Sequence, residues 1–307
     1  MFTKQEERSF VQWMRETNNL FSGDEYQLRL GIWLANKRQV QAHNAANKGF
    51  TVAMNKFAAL TPAEYKQYLG HRHLASNKEI PVKTSTKNAA EVDWREKGIV
   101  NEVKDQAQCG SCWAFSVVQA MESQWALKKG DLPSLSEQNI VDCVNTCYGC
   151  NGGDEYLAYD YVLENQGGLW ETEADYPYKG VDQSCKWDSS KGTCKFSSYF
   201  RPTSTSERSE EKLASGCAEY GVVSIAIDAS NWSFQLYSGG IYDESSCSST
   251  SLDHAVGLVG YGTEGSTPYW IVRNSWGTSW GENGYIRMIK DKKNQCGVAS
   301  DTIIPQL

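Results

Sequence analysis

The 307-residue chain lacks several features that mark common classes of protein. It has no cysteine before position 109, so its first third holds neither a disulfide nor a thiolate metal site. No run approaches the ~20 apolar residues that a membrane helix requires, and the opening MFTKQEERSF lacks the apolar stretch of a signal peptide. These absences predict a soluble chain without a membrane span, and its 11 Trp, 16 Tyr and 9 Phe predict that it is folded. If the protein is secreted, we expect its targeting segment to lie outside this sequence.

Acidic side chains are scarce in the first part of the chain and basic ones in the rest. Residues 1–87 carry 13 Lys and Arg against 7 Asp and Glu, a net charge of +6, whereas residues 88–307 carry 17 against 30, a net charge of −13. A domain this acidic is a poor partner for nucleic acid. The asymmetry is either a solubility feature or an attraction between two segments, which acid would weaken by protonating carboxylates.

The first part of the chain has the pattern of a helical segment. Thr3 followed by Glu6 predicts a capping box at the start of a first helix. A second helix is predicted from about residue 24 to residue 47, with one face that would make specific side-chain contacts. That face carries Glu25, Arg29, Trp33, Asn36, Val40 and Asn44. Residues 76–92 are polar and aperiodic, which predicts a linker that a protease can reach.

The stretch QAQCGSCWAFS contains two closely spaced cysteines, Cys109 and Cys112. Ten cysteines beyond residue 108 favour an oxidising compartment, or metal or redox chemistry if the protein is cytosolic. The pair could be a redox couple, or one half of a zinc site with the second pair in CYGC at 147–150. It could also be a half-cystine beside a catalytic thiol. No short buried strand precedes Cys109, which disfavours the redox interpretation.

Position favours a nucleophile at Cys112. The apolar spacing in CWAFSVVQAMESQWALKK predicts a helix that begins there, and a helix N-terminus stabilises a thiolate. Its base would have to be His254, since no other histidine lies beyond residue 88. SLDHAVGLVGYG predicts a loop entering a buried strand, although a packed structural histidine fits the same pattern. After the next strand, Asn274 could orient the imidazole while Trp276 and Trp280 shield that bond.

These motifs together make the chain similar to papain-family cysteine proteases of the cathepsin L type. Cys-Gly-Ser-Cys-Trp is that family's signature at the catalytic cysteine, and the resemblance extends through EVDWREKGIV, LSEQNIVDC, GCNGG, YPY and NSWGTSWG. The six-residue helix face and AMNKFAAL resemble the family's inhibitory propeptide. The resemblance implies an α+β, papain-like fold of a helical lobe and an antiparallel β-barrel-like lobe, preceded by a helical propeptide. Residues 1–87 would be the propeptide with its linker, and residues 88–307 the peptidase domain.

The resemblance also implies an activity and the residues that carry it. It implies an autoinhibited zymogen of a cysteine endopeptidase, without metal or cofactor, that propeptide removal activates at acid pH. Cys112 would be the nucleophile, His254 the base and later the acid, and Asn274 the orienting residue. Gln106 would donate its side-chain amide to the developing oxyanion. The single histidine of residues 88–307 excludes the histidine-bearing lid that makes cathepsin B a carboxypeptidase.

Substrate binding is implied at a second group of residues. The backbone of Gly153 and Asp253 would hold an extended peptide. The specificity pocket and its surroundings are implied to consist of Glu155, Ala226, Leu252, Ala255, Asp301 and Trp276. The two acidic side chains, Glu155 and Asp301, are often uncharged in relatives. They predict that the pocket accepts Arg or Lys besides Leu and Phe, unless both carboxylates point to water.

The family pattern also implies disulfides, and the chain departs from it at two positions. The implied pairs are Cys109–Cys150, Cys143–Cys185 and Cys247–Cys296. Of the remaining cysteines, Cys147 and Cys194 are predicted to form a fourth bridge and Cys217 to be buried in a helix. Ala59 replaces an Asp common in relatives, which removes one candidate pH sensor. Ala107 replaces a usual Gly, a change that is tolerable only if the backbone there does not require a positive φ.

The expected partners follow from the same resemblance. They are protein and peptide substrates, the chain's own propeptide as an intramolecular inhibitor, and cystatin-type inhibitors, with the protein as a monomer. The expected location is a lysosome or acidic vacuole-like compartment, or outside the cell. Two other classes of function stay open from the residues alone. One is a protease-like protein that only binds, and the other is a zinc or redox protein.

Overall fold

The computed structural model describes residues 2–74 and 78–307. Residues 2–74, here called the leader segment, contain three helices and a short strand. These are α1 (Lys4–Glu16), α2 (Gly23–Ala45), β1 (Phe50–Val52) and α3 (Pro62–Tyr65), which runs on into a 3₁₀ turn, Lys66–Tyr68. The capping box predicted at Thr3 is confirmed, because the Thr3 hydroxyl accepts from the Glu6 N–H and the Glu6 carboxylate accepts from the Thr3 N–H.

The predicted face of α2 makes specific contacts, mostly with the chain that follows α2. Arg29 pairs with Glu64 of α3 (2.5 Å) and donates to the carbonyl of Ala59. Asn36 donates to the Ala58 carbonyl, and further along Asn44 bonds the β1 backbone. The face therefore clamps residues 50–64 against α2.

The first part of residues 88–307 is a helical lobe. Its helices are α4 (Cys112–Lys129), α5 (Glu137–Cys143) and α6 (Glu155–Asn165). Most side chains of α4 are buried, including those of the polar residues Gln119 and Glu122, so the helix lies inside the lobe rather than on its surface. Trp113, Tyr159 and Trp170 are among the large residues of the core that forms around it.

The rest of the chain forms a sheet lobe with two further helices, α7 (Glu210–Tyr220) and α8 (Trp232–Gln235). The remaining strands are β2 (Val92–Asp93), β3 (Ser198–Phe200), β4 (Val223–Ile227), β5 (Tyr237–Tyr242), β6 (His254–Glu264), β7 (Thr267–Arg273), β8 (Tyr285–Ile289) and β9 (Asp301–Gln306). The sheet order is β1-β5-β8-β7-β6-β4-β9-β3, with β2 on β6. Of these pairs β5–β8 is parallel and the others are antiparallel. The predicted α+β, two-lobed architecture is confirmed.

The leader segment shares a sheet and a core with the sheet lobe. Its strand β1 adds to the edge of the sheet beside β5, a form of strand augmentation. The Phe57 ring lies 5.0 Å from the Trp276 ring, edge to face, and both belong to one continuous hydrophobic core. Among the described residues, no helix is both long and apolar enough to cross a membrane.

The three disulfides implied by the resemblance are present. They are Cys109–Cys150, Cys143–Cys185 and Cys247–Cys296. The first takes one sulfur from each CxxC pair, so the two pairs do not form a four-sulfur zinc site. Cys217 is buried in α7, as predicted.

The predicted Cys147–Cys194 bridge is wrong, because both thiols are free and buried. Both side chains lie in the core of the helical lobe, and Cys147 Sγ accepts the Asp154 N–H at 3.4 Å. The bridge was inferred from the number of cysteines left over. A buried free cysteine packs as a small apolar residue, so leftover thiols need not pair.

The predicted linker begins at residues 76 and 77, which lie outside the described residues. From residue 78 to residue 91 the chain forms no helix, makes one isolated bridge from Val82 to Arg201 and is mostly exposed. Such a segment offers a protease extended, accessible backbone.

Candidate active site

Cys112 is the first residue of α4 and faces the start of β6. Its side chain is fully buried, and its Sγ accepts the backbone N–H groups of Gly70 (3.2 Å) and Ala255 (3.4 Å). Burial raises the pKa of the Cys112 thiol to about 12, although these two donors oppose the rise. The sulfur is therefore a neutral thiol while the leader segment covers it.

His254 is the first residue of β6, within the segment where a loop was predicted to enter a buried strand, and it is tied to Asn274. Its Nε2 lies 2.8 Å from Asn274 Oδ1. Because an amide oxygen can only accept, Nε2 carries the proton and Nδ1 holds the basic lone pair. Nδ1 is buried and bonds no described residue. Burial lowers the pKa of His254 to about 4, although the hydrogen bond that His254 donates to Asn274 opposes this change, so the covered imidazole is neutral.

Trp276 covers the imidazole of His254. The two rings are stacked with their centroids 4.7 Å apart. Trp276 also meets Phe57 and Tyr65 of the leader segment edge to face, at 5.0 and 5.8 Å between centroids. The structure therefore places Trp276 as a shield over His254, while the ring of Trp280 meets Trp276 edge to face at 5.2 Å.

Gln106 lies on the other side of the cleft, with its amide held in one orientation. Gln106 Oε1 accepts the Ser275 hydroxyl at 2.8 Å, so Nε2 is directed into the cleft. There Nε2 donates to the carbonyl of Tyr68 in the leader segment (2.9 Å) and to that of Cys109 (2.8 Å). The Tyr68 carbonyl of the leader segment thus accepts a hydrogen bond from the Gln106 amide group that is predicted to bind the oxyanion of the substrate.

Ser275 is a residue of the site that no sequence motif predicted. Besides fixing the Gln106 amide, it donates its N–H to Asn274 Oδ1 (2.8 Å), and its carbonyl accepts the Gln106 N–H (2.8 Å). It therefore holds two predicted site residues that are distant in sequence. In the sequence Ser275 is marked only by its place in NSW. That motif does not show that its hydroxyl reaches Gln106, which is distant in sequence.

The leader segment runs through the cleft as an extended chain. The Gly70 carbonyl accepts the Gly153 N–H (2.9 Å), and the Gly153 carbonyl accepts the Arg72 N–H (2.9 Å). On the opposite side the Asp253 carbonyl accepts the His71 N–H (3.0 Å). A Cβ on Gly70 would lie 1.9 Å from the Gly110 oxygen, so only glycine allows this approach to Cys112. Gly153 and Asp253 thus hold backbone, as predicted for substrate.

His71, the residue after Gly70, fills the predicted specificity pocket. Its Nδ1 lies 2.8 Å from Glu155 Oε2, and its Nε2 lies 4.0 Å from Asp301 Oδ2. Burial opposes protonation of His71, but the two carboxylates outweigh it and raise its pKa to about 9. The imidazole is therefore a cation. Because Glu155 and Asp301 are 3% and 8% exposed, they do not point to water in this state.

The other predicted pocket residues lie beside these carboxylates. Ala226 of β4 pairs with Ala255 of β6 on one side and with Asp301 of β9 on the other. Leu252 and Asp301 border a cavity of about 300 Å³ that continues beyond the His71 side chain. The five predicted positions therefore converge on one region, at the start of β6 and β9.

Ala107 does require a left-handed backbone, with φ +54°. An L-residue in this region costs about 1–2 kcal/mol, and the strain lies directly beside Gln106.

Replacing Ala107 by Gly is expected to stabilise the zymogen by about 0.5–1 kcal/mol, because the relief of strain exceeds the extra entropy of glycine in the unfolded chain. Thermal unfolding would measure this as a higher Tm. The matched control is Ala42→Gly on the exposed face of α2, which should lose about 1 kcal/mol. A lower Tm for Ala107→Gly would contradict the strain argument.

Two family models match the chain. The model described as papain family cysteine protease covers residues 88–306, and that of the cathepsin propeptide inhibitor domain covers residues 10–65. The two matches correspond to the two-lobed region and to most of the leader segment.

Relatives match over almost the whole chain. Procathepsin L of Mus musculus is 42% identical over 309 residues, which are 96% of this chain and 90% of that protein. Cathepsin L2 of Homo sapiens is 40% identical over 319 residues, covering 100% and 94%. Among solved structures, digestive procathepsin L 3 from the larval midgut of Tenebrio molitor superposes with a TM-score of 0.90 at 36% identity, over 99% of this chain and 100% of that one.

Proposed function

The chain belongs to the papain family of cysteine proteases, and we propose that Cys112, His254, Asn274 and Gln106 carry out its peptide hydrolysis. The chain is a cathepsin L-like zymogen, the precursor of a cysteine endopeptidase that is activated by removal of its propeptide. The arrangement of His254 between Asn274 and Cys112 carries the assignment. His254 Nε2 is bound to Asn274, its Nδ1 has no partner among the described residues, and the next residue, Ala255, donates to the Cys112 sulfur.

The chemistry follows from these positions. His254 Nδ1 takes the proton of the Cys112 thiol, and the thiolate attacks the carbonyl carbon of the peptide bond. A carbon–sulfur bond forms while the carbonyl oxygen becomes negative. The imidazolium then protonates the leaving nitrogen, the carbon–nitrogen bond breaks, and the amine product departs. Water, deprotonated by His254, hydrolyses the thioester and restores the thiol.

Gln106 and the helix N-terminus stabilise the oxyanion. The Gln106 Nε2–H group, directed into the cleft by Ser275, donates together with the Cys112 N–H to the developing negative oxygen. Such a donor typically contributes ~3–4 kcal/mol to lowering the barrier. Ser275 acts as a positioning residue, because it fixes the orientation of the amide and touches no reacting atom.

The leader segment blocks this site as an intramolecular inhibitor, consistent with its match to the inhibitor domain. Its chain passes Cys112 at Gly70 and enters the specificity pocket at the following residue, His71. In a substrate the pocket residue precedes the residue whose carbonyl is attacked. The leader segment therefore lies in the opposite direction and offers no correctly placed carbonyl to the sulfur.

The inhibitory part is residues 1–87 with its linker, and the peptidase domain is residues 88–307. Acid favours release through the opposite net charges of the two parts. One local pair is not the trigger. The hydrogen bond from Arg29 lowers the pKa of Glu64 to about 2, so the stability that this pair contributes is present above the ordinary pKa and is lost only as the pH falls through about 2.

The mature enzyme acts on protein and peptide substrates as a monomer. Main-chain bonds at Gly153 and Asp253 fit an extended peptide of varied sequence, and the pocket is lined by Glu155, Ala226, Leu252, Ala255 and Asp301. A cleft open to an extended chain also fits inhibitors of the cystatin type. The compartment is lysosomal, acidic and vacuole-like, or extracellular, in keeping with three disulfides.

Labelling of the thiol tests the assignment. After acidification removes residues 1 to about 87, iodoacetamide at about pH 5.5 is expected to modify Cys112 at least tenfold faster than in the zymogen. The reason is that only the uncovered thiol and imidazole can form an ion pair, whereas an ordinary thiol has a pKa near 8.5. Cys217, buried in α7, is the internal control and should stay unlabelled. Equal labelling of Cys112 before and after removal would contradict the proposal.

A further inference from the structure

The leader segment places one positively charged side chain in the specificity pocket. The His71 imidazole and the carboxylates of Glu155 and Asp301 have their polar atoms within 4.8 Å of one another. Both Glu155 oxygens are in hydrogen-bond range of His71 Nδ1, at 2.8 and 3.1 Å. The pocket thus binds a cation in the zymogen, and that cation leaves with the leader segment.

The two carboxylates differ in whether they keep an ion-pair partner after the leader segment has been removed. Asp301 pairs with Arg201, which also donates to the Thr302 carbonyl at 3.2 Å. Arg201 is 7% exposed and belongs to the peptidase domain, so this pair persists in the mature enzyme. Glu155 has no other ion pair with a described residue besides the one with His71.

The charge in the pocket then depends on Glu155. Asp154, the third carboxylate nearby, is fully buried and accepts the Leu74 N–H at 2.9 Å. In the zymogen, burial first, and then repulsion by Glu155 and Asp301, raise the pKa of Asp154 to about 7, so Asp154 is neutral there at acid pH. With Asp301 paired to Arg201, Glu155 is the carboxylate that loses its ion-pair partner when the leader segment leaves.

We propose that Glu155 selects a positively charged substrate side chain in this pocket. Arg201 is a positioning residue, because its ion pair with Asp301 keeps that carboxylate from binding the substrate side chain. This deepens the proposed function and rests on it, because the pocket residue is defined relative to the bond that Cys112 attacks. The substrate class is therefore peptides with Arg or Lys immediately before the residue that supplies the scissile carbonyl. A buried carboxylate without a partner is costly, and such a side chain restores the contact that His71 makes in the zymogen.

The pocket has room for these longer side chains. The cavity of about 300 Å³ beyond His71 is bordered by Leu252, Ser300 and Asp301, while Ala226 and Ala255 are small. Arg208, which also borders this cavity, is exposed to solvent, so water screens its charge. A side chain longer than that of histidine therefore has room beyond the position of the His71 ring.

The test compares two peptide amides that differ only in the pocket residue, Arg or Leu. The ratio of their kcat/KM values is measured at about pH 5.5 with mature enzyme prepared by activating the full chain. In Glu155→Gln, the Arg-to-Leu ratio is expected to fall by about tenfold or more, because a charge-assisted hydrogen bond is lost. The double variant Arg201→Gln, Asp301→Asn removes an ion pair without changing net charge, and its ratio should stay within about threefold of wild type.

A ratio unchanged in Glu155→Gln would overturn the inference, and so would an equal fall in the double variant. Both results require an enzyme that hydrolyses the Leu peptide, and each ratio is taken within one preparation, so a difference in the amount of folded protein cancels. Failure of the proposed function gives a different result, since the wild-type protein would then hydrolyse neither peptide after removal of the leader segment.

Discussion

Replacing Cys112 by Ala is expected to lower kcat for peptide hydrolysis by on the order of 10⁵–10⁶-fold, the loss found when a covalent nucleophile is removed from a cooperating catalytic set. The remaining groups, His254 and Gln106, cannot form a thioester. No other sulfur lies at the N-terminus of α4 in the described part of the chain to replace the lost thiol. The variant should still fold, since the fully buried side chain loses one small polarisable atom. It should also retain the leader segment at acid pH, because it cannot cleave its own linker.

The measurement compares wild type and Cys112→Ala after the same treatment. Both zymogens are acidified, and a second sample of each is cut in the exposed segment 78–91 by an added protease, so that activity is compared at equal removal of the leader segment. Cys217→Ala is the matched control, because Cys217 is also a fully buried free thiol but lies in α7. Substantial peptidase activity in cut Cys112→Ala would exclude Cys112 as the nucleophile.

Replacing His71 by Ala is expected to weaken the hold of the leader segment on the cleft by roughly 30-fold to a few thousand-fold. Truncating one partner of a buried, hydrogen-bonded charge pair costs about 2–5 kcal/mol, since the other charge is left buried without compensation. Here the partner left behind is Glu155, which is 3% exposed. The zymogen should therefore expose its active site more often and mature faster.

This effect has a defined pH dependence. The pKa of His71 is raised to about 9 in the zymogen from its ordinary value of 6.5, so its contribution is complete below about 6.5 and is lost as the pH rises through about 9. His71 therefore holds the leader segment at acid pH rather than releasing it. The difference between wild type and His71→Ala should be large at pH 5–6.5 and should vanish above about pH 9.

The rate at which iodoacetamide labels Cys112 in the zymogen, between about pH 5 and 10, measures this exposure. His73→Ala is the matched control. That imidazole is 69% exposed and lies 3.6 Å from Asp154, so its removal should change the rate by no more than about twofold. Equal effects of the two substitutions at pH 5.5 would show that the pocket cluster does not hold the leader segment.

Local patterns in the chain accounted for much of the architecture. Patterns over a few residues predict the capping box at Thr3, the helix that starts at Cys112 and the buried strand within SLDHAVGLVGYG. The resemblance to the papain family supplied the three disulfides and the positions that the structure brings together in the cleft. Such features depend on short-range periodicity or on long motifs, both of which are visible in one dimension.

Features that depend on contacts between distant parts of the chain were not predictable in this way. The failed Cys147–Cys194 bridge is one example, and the left-handed backbone of Ala107 is another. The roles of Ser275, Arg201 and His71 also belong here, since each acts through a partner far away in sequence.

By itself, then, the sequence determined the identity of the family, the two-part organisation and which side chains are available for catalysis. Only the tertiary structure decided which carboxylate of the pocket is already paired, which side chain fills that pocket and how the thiol and imidazole are kept neutral. The physical reason is that burial and charge pairing depend on every group that packs around an atom. A linear pattern specifies which groups are present, while the fold sets the distances between them.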